Sequence, residues 1–197
     1  IEDLYGRRFH TRAQQALATL EVPWFMVAGN HDIGGWIDTP APAGTARLAW
    51  WRFFGWRRHG DAGATTVTQD LSFDYGPVHL VGLQTWVNYD GWRTETWAYH
   101  SLHPSQLTWL QADLLAHEHQ SATVLFHHYD FSDQIDPSTL GLDMVLAGHT
   151  HQDAGSLTTQ PWELQTRAVS DGGRAIRLVR AQGGALEPMP TVRAGGF

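Results

Sequence analysis

The chain has 197 residues, 42% of them hydrophobic, a formal charge of −7 and no cysteine. That length builds one sizeable domain, and without cysteine any metal must be held by His, Asp, Glu or Asn. The acidic balance argues against a broad nucleic-acid face, and no run of about 18 apolar residues is present to span a membrane.

The first element is a helix, predicted over residues 4–20 from apolar positions at Leu4, Tyr5, Phe9, Ala13, Ala16, Leu17 and Leu20. Pro23 ends it, and Pro23-Trp24-Phe25-Met26-Val27-Ala28 is expected as a short buried strand. That strand runs into Gly29-Asn30-His31-Asp32. Residues 33–63 have no clean period; they carry Pro40, Pro42, Gly44 and the aromatic block Trp50 to Trp56, expected as core or as a lid. An alternating stretch from Thr65 to Tyr75 and the run Val78 to Leu83 predict a hairpin turning at Gly76-Pro77.

The clearest helix is predicted over residues 104–118, with Pro104 in its first turn and Leu107, Leu110, Leu114 and Leu115 on one face. Ala122 to Phe126 is then a buried strand that runs into His127-His128. Met144 to Ala147 is another that runs into Gly148-His149-Thr150-His151. Two last strands are expected at residues 162–169 and 175–180. Helices alternating with buried strands indicate an α/β fold, in which sites gather beyond the carboxyl ends of the strands.

Three times a short apolar strand ends and histidine follows at once: at His31, at His127-His128 and at His149-x-His151. Neutral imidazoles and an amide oxygen such as that of Asn30 suit cations such as Mn, Fe and Zn. Gly29 and Gly148 are expected to let the backbone turn sharply beside them. Between the neighbours His127 and His128, the one at the strand's end is favoured as a ligand. His10, His59, His79, His100, His103, His117, His119 and His128 are expected as surface or packing residues.

GNHD, then HH after a strand, then AGHTH, in this order, resembles the calcineurin-like metallophosphoesterases. The resemblance runs from about residue 1 to about residue 180 and takes in the SFDYGPVHLVGL hairpin and the QLTWLQADL helix. It implies a four-layer α/β-β/α sandwich of two mixed sheets flanked by helices, forming one phosphoesterase domain over residues 1–197. It also implies a dinuclear centre of divalent or trivalent ions (Mn, Fe or Zn), with Asn30, His127 and His149 on the second ion and His151 on the first. His31 becomes the catalytic histidine, giving a proton to the leaving oxygen or contacting phosphate, with Asp32 orienting its ring. The implied partner is a small phosphate ester.

Two motifs of that family, Asp-x-His and Gly-Asp-x-x-Asp, do not occur in order here; no Asp is followed two residues on by His. The chain also opens on Ile1-Glu2-Asp3 rather than on methionine or a signal peptide. It therefore reads as the C-terminal portion of a longer domain, weakly active alone, with its compartment (cytoplasm or export) and oligomeric state left open. The competing readings are a non-catalytic scaffold that keeps the fold and, against the acidic charge, a nuclease.

Overall fold

The computed structural model describes residues 7–29, 32, 70–83, 102, 104–168 and 175–193. The chain divides into two units, residues 1–69 with 84–101, and residues 70–83 with 102–197. In the first, helix α1 (Arg7–Leu17) is shorter than predicted. Past Leu17 the chain tightens into turns, Thr19 and Leu20 donating to the carbonyls of Ala16 and Leu17, and the Thr19 hydroxyl also donates to Ala16. A side chain that takes up a terminal carbonyl competes with another helical turn.

The strand expected at residues 23–28 is not one. Residues 23–29 are irregular and join no ladder among the described strands. A short apolar run signals burial, which Ala28 has, but pairing depends on a partner the run does not encode. The long excursion over residues 33–63, its Trp block, Asn30 and His31 all lie outside the described residues.

The second unit is built on a five-stranded mixed sheet in the order β1 (Leu71–Tyr75), β2 (Val78–Gly82), β3 (Ala122–Phe126), β4 (Met144–Ala147), β5 (Trp162–Gln165). Strands β1 and β2 form the predicted hairpin, with Tyr75 opposite Val78 and Gly76 at φ 59°. Parallel pairing then takes over: Leu80 lies opposite Val124, Val124 opposite Met144 and Met144 opposite Trp162. Helix α2 (Pro104–Ala116) provides the crossover between β2 and β3 that a parallel pair needs.

Each central strand is apolar on both faces, as a sheet covered on both sides requires. On one face Val81, Leu125 and Val145 pack with Leu110 of α2 and with Tyr129, Phe131 and Ile135 of the segment after β3. On the other, Val124, Met144, Trp162 and Leu164 pack with Leu157, Val179 and Leu186. The last two come from a hairpin of β7 (Val179–Gln182) and β8 (Ala185–Pro188), and β6 (Ala175–Ile176) pairs with β9 (Val192–Arg193).

Of the two tail strands expected from the sequence, the first is β5, which ends at Gln165, and the second gives way to four short strands, β6 to β9. The missed signal was Gly183-Gly184. Their φ of 58° and 86° give the two left-handed residues of a two-residue hairpin turn, which glycine adopts without strain.

Candidate active site

Because β3 and β4 are parallel neighbours, the residues that follow them emerge on one rim. The ladder continues past both strand ends: the His127 amide donates to Leu146 at 3.0 Å and the Gly148 amide to His128 at 3.1 Å. This sets His127-His128 beside Gly148-His149. On the next strand, Gln165 lies opposite Ala147 and its side-chain oxygen accepts the Thr150 hydroxyl at 2.7 Å. That bond ties the loop between the two histidines to β5.

The backbone of this loop is strained at the histidines themselves. His149 has φ 67° and His151 φ 58°, the only non-glycine residues with positive φ among those described. The Thr150 amide donates to Gly148 across two residues at 2.8 Å, which with the φ of His149 has the form of the rare, strained γ-turn. Left-handed backbone costs an ordinary residue on the order of 1–2 kcal/mol, and such strain gathers at functional sites. The backbone turns at Gly29 and Gly148, as expected, their carbonyls accepting from Asp32 and Thr150, but the left-handed residues are the histidines, not the glycines.

The two neighbours at the end of β3 differ in role. His127 is buried, its ring 4.9 Å from Phe131, and its Nδ1 is enclosed with no hydrogen-bond partner among the described residues. Burial drives its pKa down to about 4, against a backbone bond with Tyr129 and the charge of Asp130. The ring is therefore neutral at ordinary pH and holds a lone pair or a hydrogen that no atom of the described residues meets. His128 is half-buried, with its ring 5.1 Å from that of His149. Tyr129 packs on His149 at 4.3 Å, its phenol pushed up to about 12 by burial.

The structure thus brings His127, His149 and His151 to one rim, and sets His128 and Tyr129 rather than His127 in ring contact with His149. The sequence reading missed Tyr129, Gln165, Asp130 and Glu163; the last three line a cavity beside His127. Only Asp130 had a sequence signal, its place three residues past His127. In the first unit Gly29 and Asp32 hold each other twice. The Gly29 amide donates to the Asp32 carboxylate at 2.8 Å and the Asp32 amide to the Gly29 carbonyl at 3.1 Å.

The buried ring has a measurable consequence in protein stripped of metal. Above pH 6.5 His127 is neutral whether folded or unfolded. Between pH 6.5 and about 4 the unfolded chain takes up a proton that the folded chain refuses. Stability therefore falls as pH falls through that window, by up to about 3 kcal/mol. Urea midpoints measured from pH 7.5 down to 4.5 are expected to show this slope and to lose it in His127→Gln. Equal slopes in the two proteins would contradict the burial argument.

A model of the calcineurin-like phosphoesterases matches residues 3–153. With the mixed sheet and the histidine rim, that match places the chain in the family: it belongs to the calcineurin-like phosphoesterases. It is accordingly a metal-binding hydrolase of phosphoric esters. No curated protein matches the chain. Among the described residues no helix is long and apolar enough to cross a membrane.

Proposed function

We propose that the chain hydrolyses phosphomonoester or phosphodiester bonds with two metal ions, Asn30, His127 and His149 holding one and His151 the other. The observation that carries this is the enclosed Nδ1 of His127, without a partner among the described residues, on the rim where His149 and His151 hold left-handed backbone. A buried polar atom without a partner is costly, and a cation removes that cost at a ring already neutral. Among the described residues, His127 with its enclosed Nδ1 beside the His149 loop fits such a group. Ions of the Mn, Fe or Zn kind, when bound, draw charge from phosphate oxygens and activate water for attack.

The chain's own residues do the rest. His31 donates a proton to the leaving oxygen or binds phosphate, a role suited to an imidazole of ordinary pKa near 6.5. Tyr129, His128 and the bond from Thr150 to Gln165 hold the His149 loop in its strained form. Tyr129 and Phe131 keep the rear of the rim dry. Asp-x-His and Gly-Asp-x-x-Asp do not occur in order in these 197 residues, so alone the chain is proposed to hold the first ion weakly and turn over slowly.

The test uses the full-length protein with Mn²⁺, Fe²⁺ or Zn²⁺ on p-nitrophenyl phosphate and on bis(p-nitrophenyl) phosphate. Metal-dependent hydrolysis, abolished by chelation, is expected, and the preferred ester separates phosphatase from phosphodiesterase. A protein inert with every ion, and unchanged by His31→Ala, would be the scaffold and not the enzyme.

A further inference from the structure

At the opposite edge of the five-stranded sheet, a second group of chemistry-bearing side chains converges. His79 stands near the start of β2, opposite Thr123 of β3. His127 lies four residues further along β3, about 13 Å away at 3.3 Å per residue. His79, one of the histidines expected as surface or packing residues, is fully buried. Both its ring nitrogens meet carboxylates: Nδ1 lies 2.7 Å from Asp74 of β1 and Nε2 2.9 Å from Asp113 of α2. The Ser72 hydroxyl donates to the other Asp113 oxygen at 2.8 Å and so holds that carboxylate in place. His117, just past α2, stacks on His79 with ring centroids 3.9 Å apart, and its Nδ1 donates to the Asp113 carbonyl at 2.8 Å.

We infer that Asp74, His79 and His117 form a site for a divalent cation of the Zn²⁺ class, separate from the phosphoesterase rim. One ligand atom from each lies within 4.8 Å of the others. Each histidine has one ring nitrogen tied to an acceptor that orients the ring, as metal-ligating histidines usually have. For His79 that acceptor is Asp113, and Nδ1 is the atom that faces the third ligand, Asp74, at 2.7 Å; for His117 it is the Asp113 carbonyl, and Nε2 is the atom offered to the ion.

Two imidazoles and a carboxylate suit a borderline cation, with water completing the shell at the exposed Asp74. The site also sits at the C-terminal end of α2, where the helix dipole favours positive charge. The stacked rings are 12° from parallel, so their lone pairs lie in parallel planes and one ring must turn before both reach a single ion. His117, part-exposed and past the last helical turn, turns its ring to share the ion while His79 stays fixed. The ion takes the place of the hydrogen on His79 Nδ1, which leaves to solvent, and cross-links β1, β2 and the end of α2.

The test is Zn²⁺ titration by calorimetry of full-length protein carrying His149→Ala and His151→Ala, which removes two ligands of the proposed rim. One Zn²⁺ per chain is expected to remain, raising the melting temperature. Adding His117→Ala, at a part-exposed position that leaves the fold intact by circular dichroism, should weaken it at least tenfold. Asp74→Asn, which keeps the side-chain shape, should do the same. The His117 ring nitrogens should shift on Zn²⁺ addition in ¹⁵N-resolved imidazole spectra. No Zn²⁺ bound in the His149→Ala, His151→Ala protein would overturn the inference, as would an undiminished affinity after His117→Ala.

Discussion

His31→Ala is expected to lower kcat by about 10² to 10⁴, the usual contribution of a positioned acid or base, while the metal content of the protein stays unchanged. On P–O cleavage the ester's alcohol departs as an alkoxide that needs a proton at once, and His31 in GNHD is the residue proposed to supply it. The leaving group separates its two candidate roles. p-Nitrophenolate departs without help, so a proton donor's loss should be small with nitrophenyl esters and large with alkyl esters. A phosphate contact should be lost equally with both. Unchanged kcat with alkyl and aryl esters alike would remove His31 from the chemistry.

Gly155→Ala is expected to destabilise the chain by about 3 kcal/mol or more. Gly155 holds φ 95°, and an added Cβ would stand 2.0 Å from the Glu163 carbonyl oxygen and 3.0 Å from its carbon. Backbone, not a flexible side chain, would have to move. Left-handed strain of about 1–2 kcal/mol adds to overpacking of about 1–3. That is a large part of a typical 5–15 kcal/mol of stability. The site feels it too, because Ala154 bridges Gln165, the residue that anchors Thr150 between His149 and His151. Gly148→Ala is the control: its Cβ would meet His128 Nδ1 at an ordinary 3.5 Å, with no positive φ. Urea unfolding in which both variants lose the same stability, within about 1 kcal/mol, would contradict this account.

The sequence displayed what local pattern controls. Ala122–Phe126 and Met144–Ala147 are strands at the bounds their apolar runs suggested, because residues covered on both faces read as continuous hydrophobic stretches. Gly76-Pro77 marked its hairpin. The rim followed from the same signal, since two parallel strands that each end in histidine must deliver both to one edge.

What stayed hidden depends on partners distant in the chain. Pro23 to Ala28 has the composition of a strand and no described ladder partner. The left-handed backbone of His149 and His151 arises from the Gly148-to-Thr150 turn and the tether to Gln165, and nothing in the letters GHTH shows it. His79 looked like a packing residue because its two carboxylates, Asp74 across the hairpin and Asp113 on α2, come from separate elements. Asn30, His31 and the Trp block lie outside the described residues, so their roles rest on the motif alone.

The most direct test of the central claim is the metal content of the full-length protein and its His149→Ala variant after dialysis against Mn²⁺, measured with kcat on the preferred ester. The account predicts that His149→Ala loses one ion from the rim and at least about a hundredfold of activity, more than the tenfold to hundredfold that an outer-shell change costs. Equal metal content and undiminished kcat in the two proteins would contradict it.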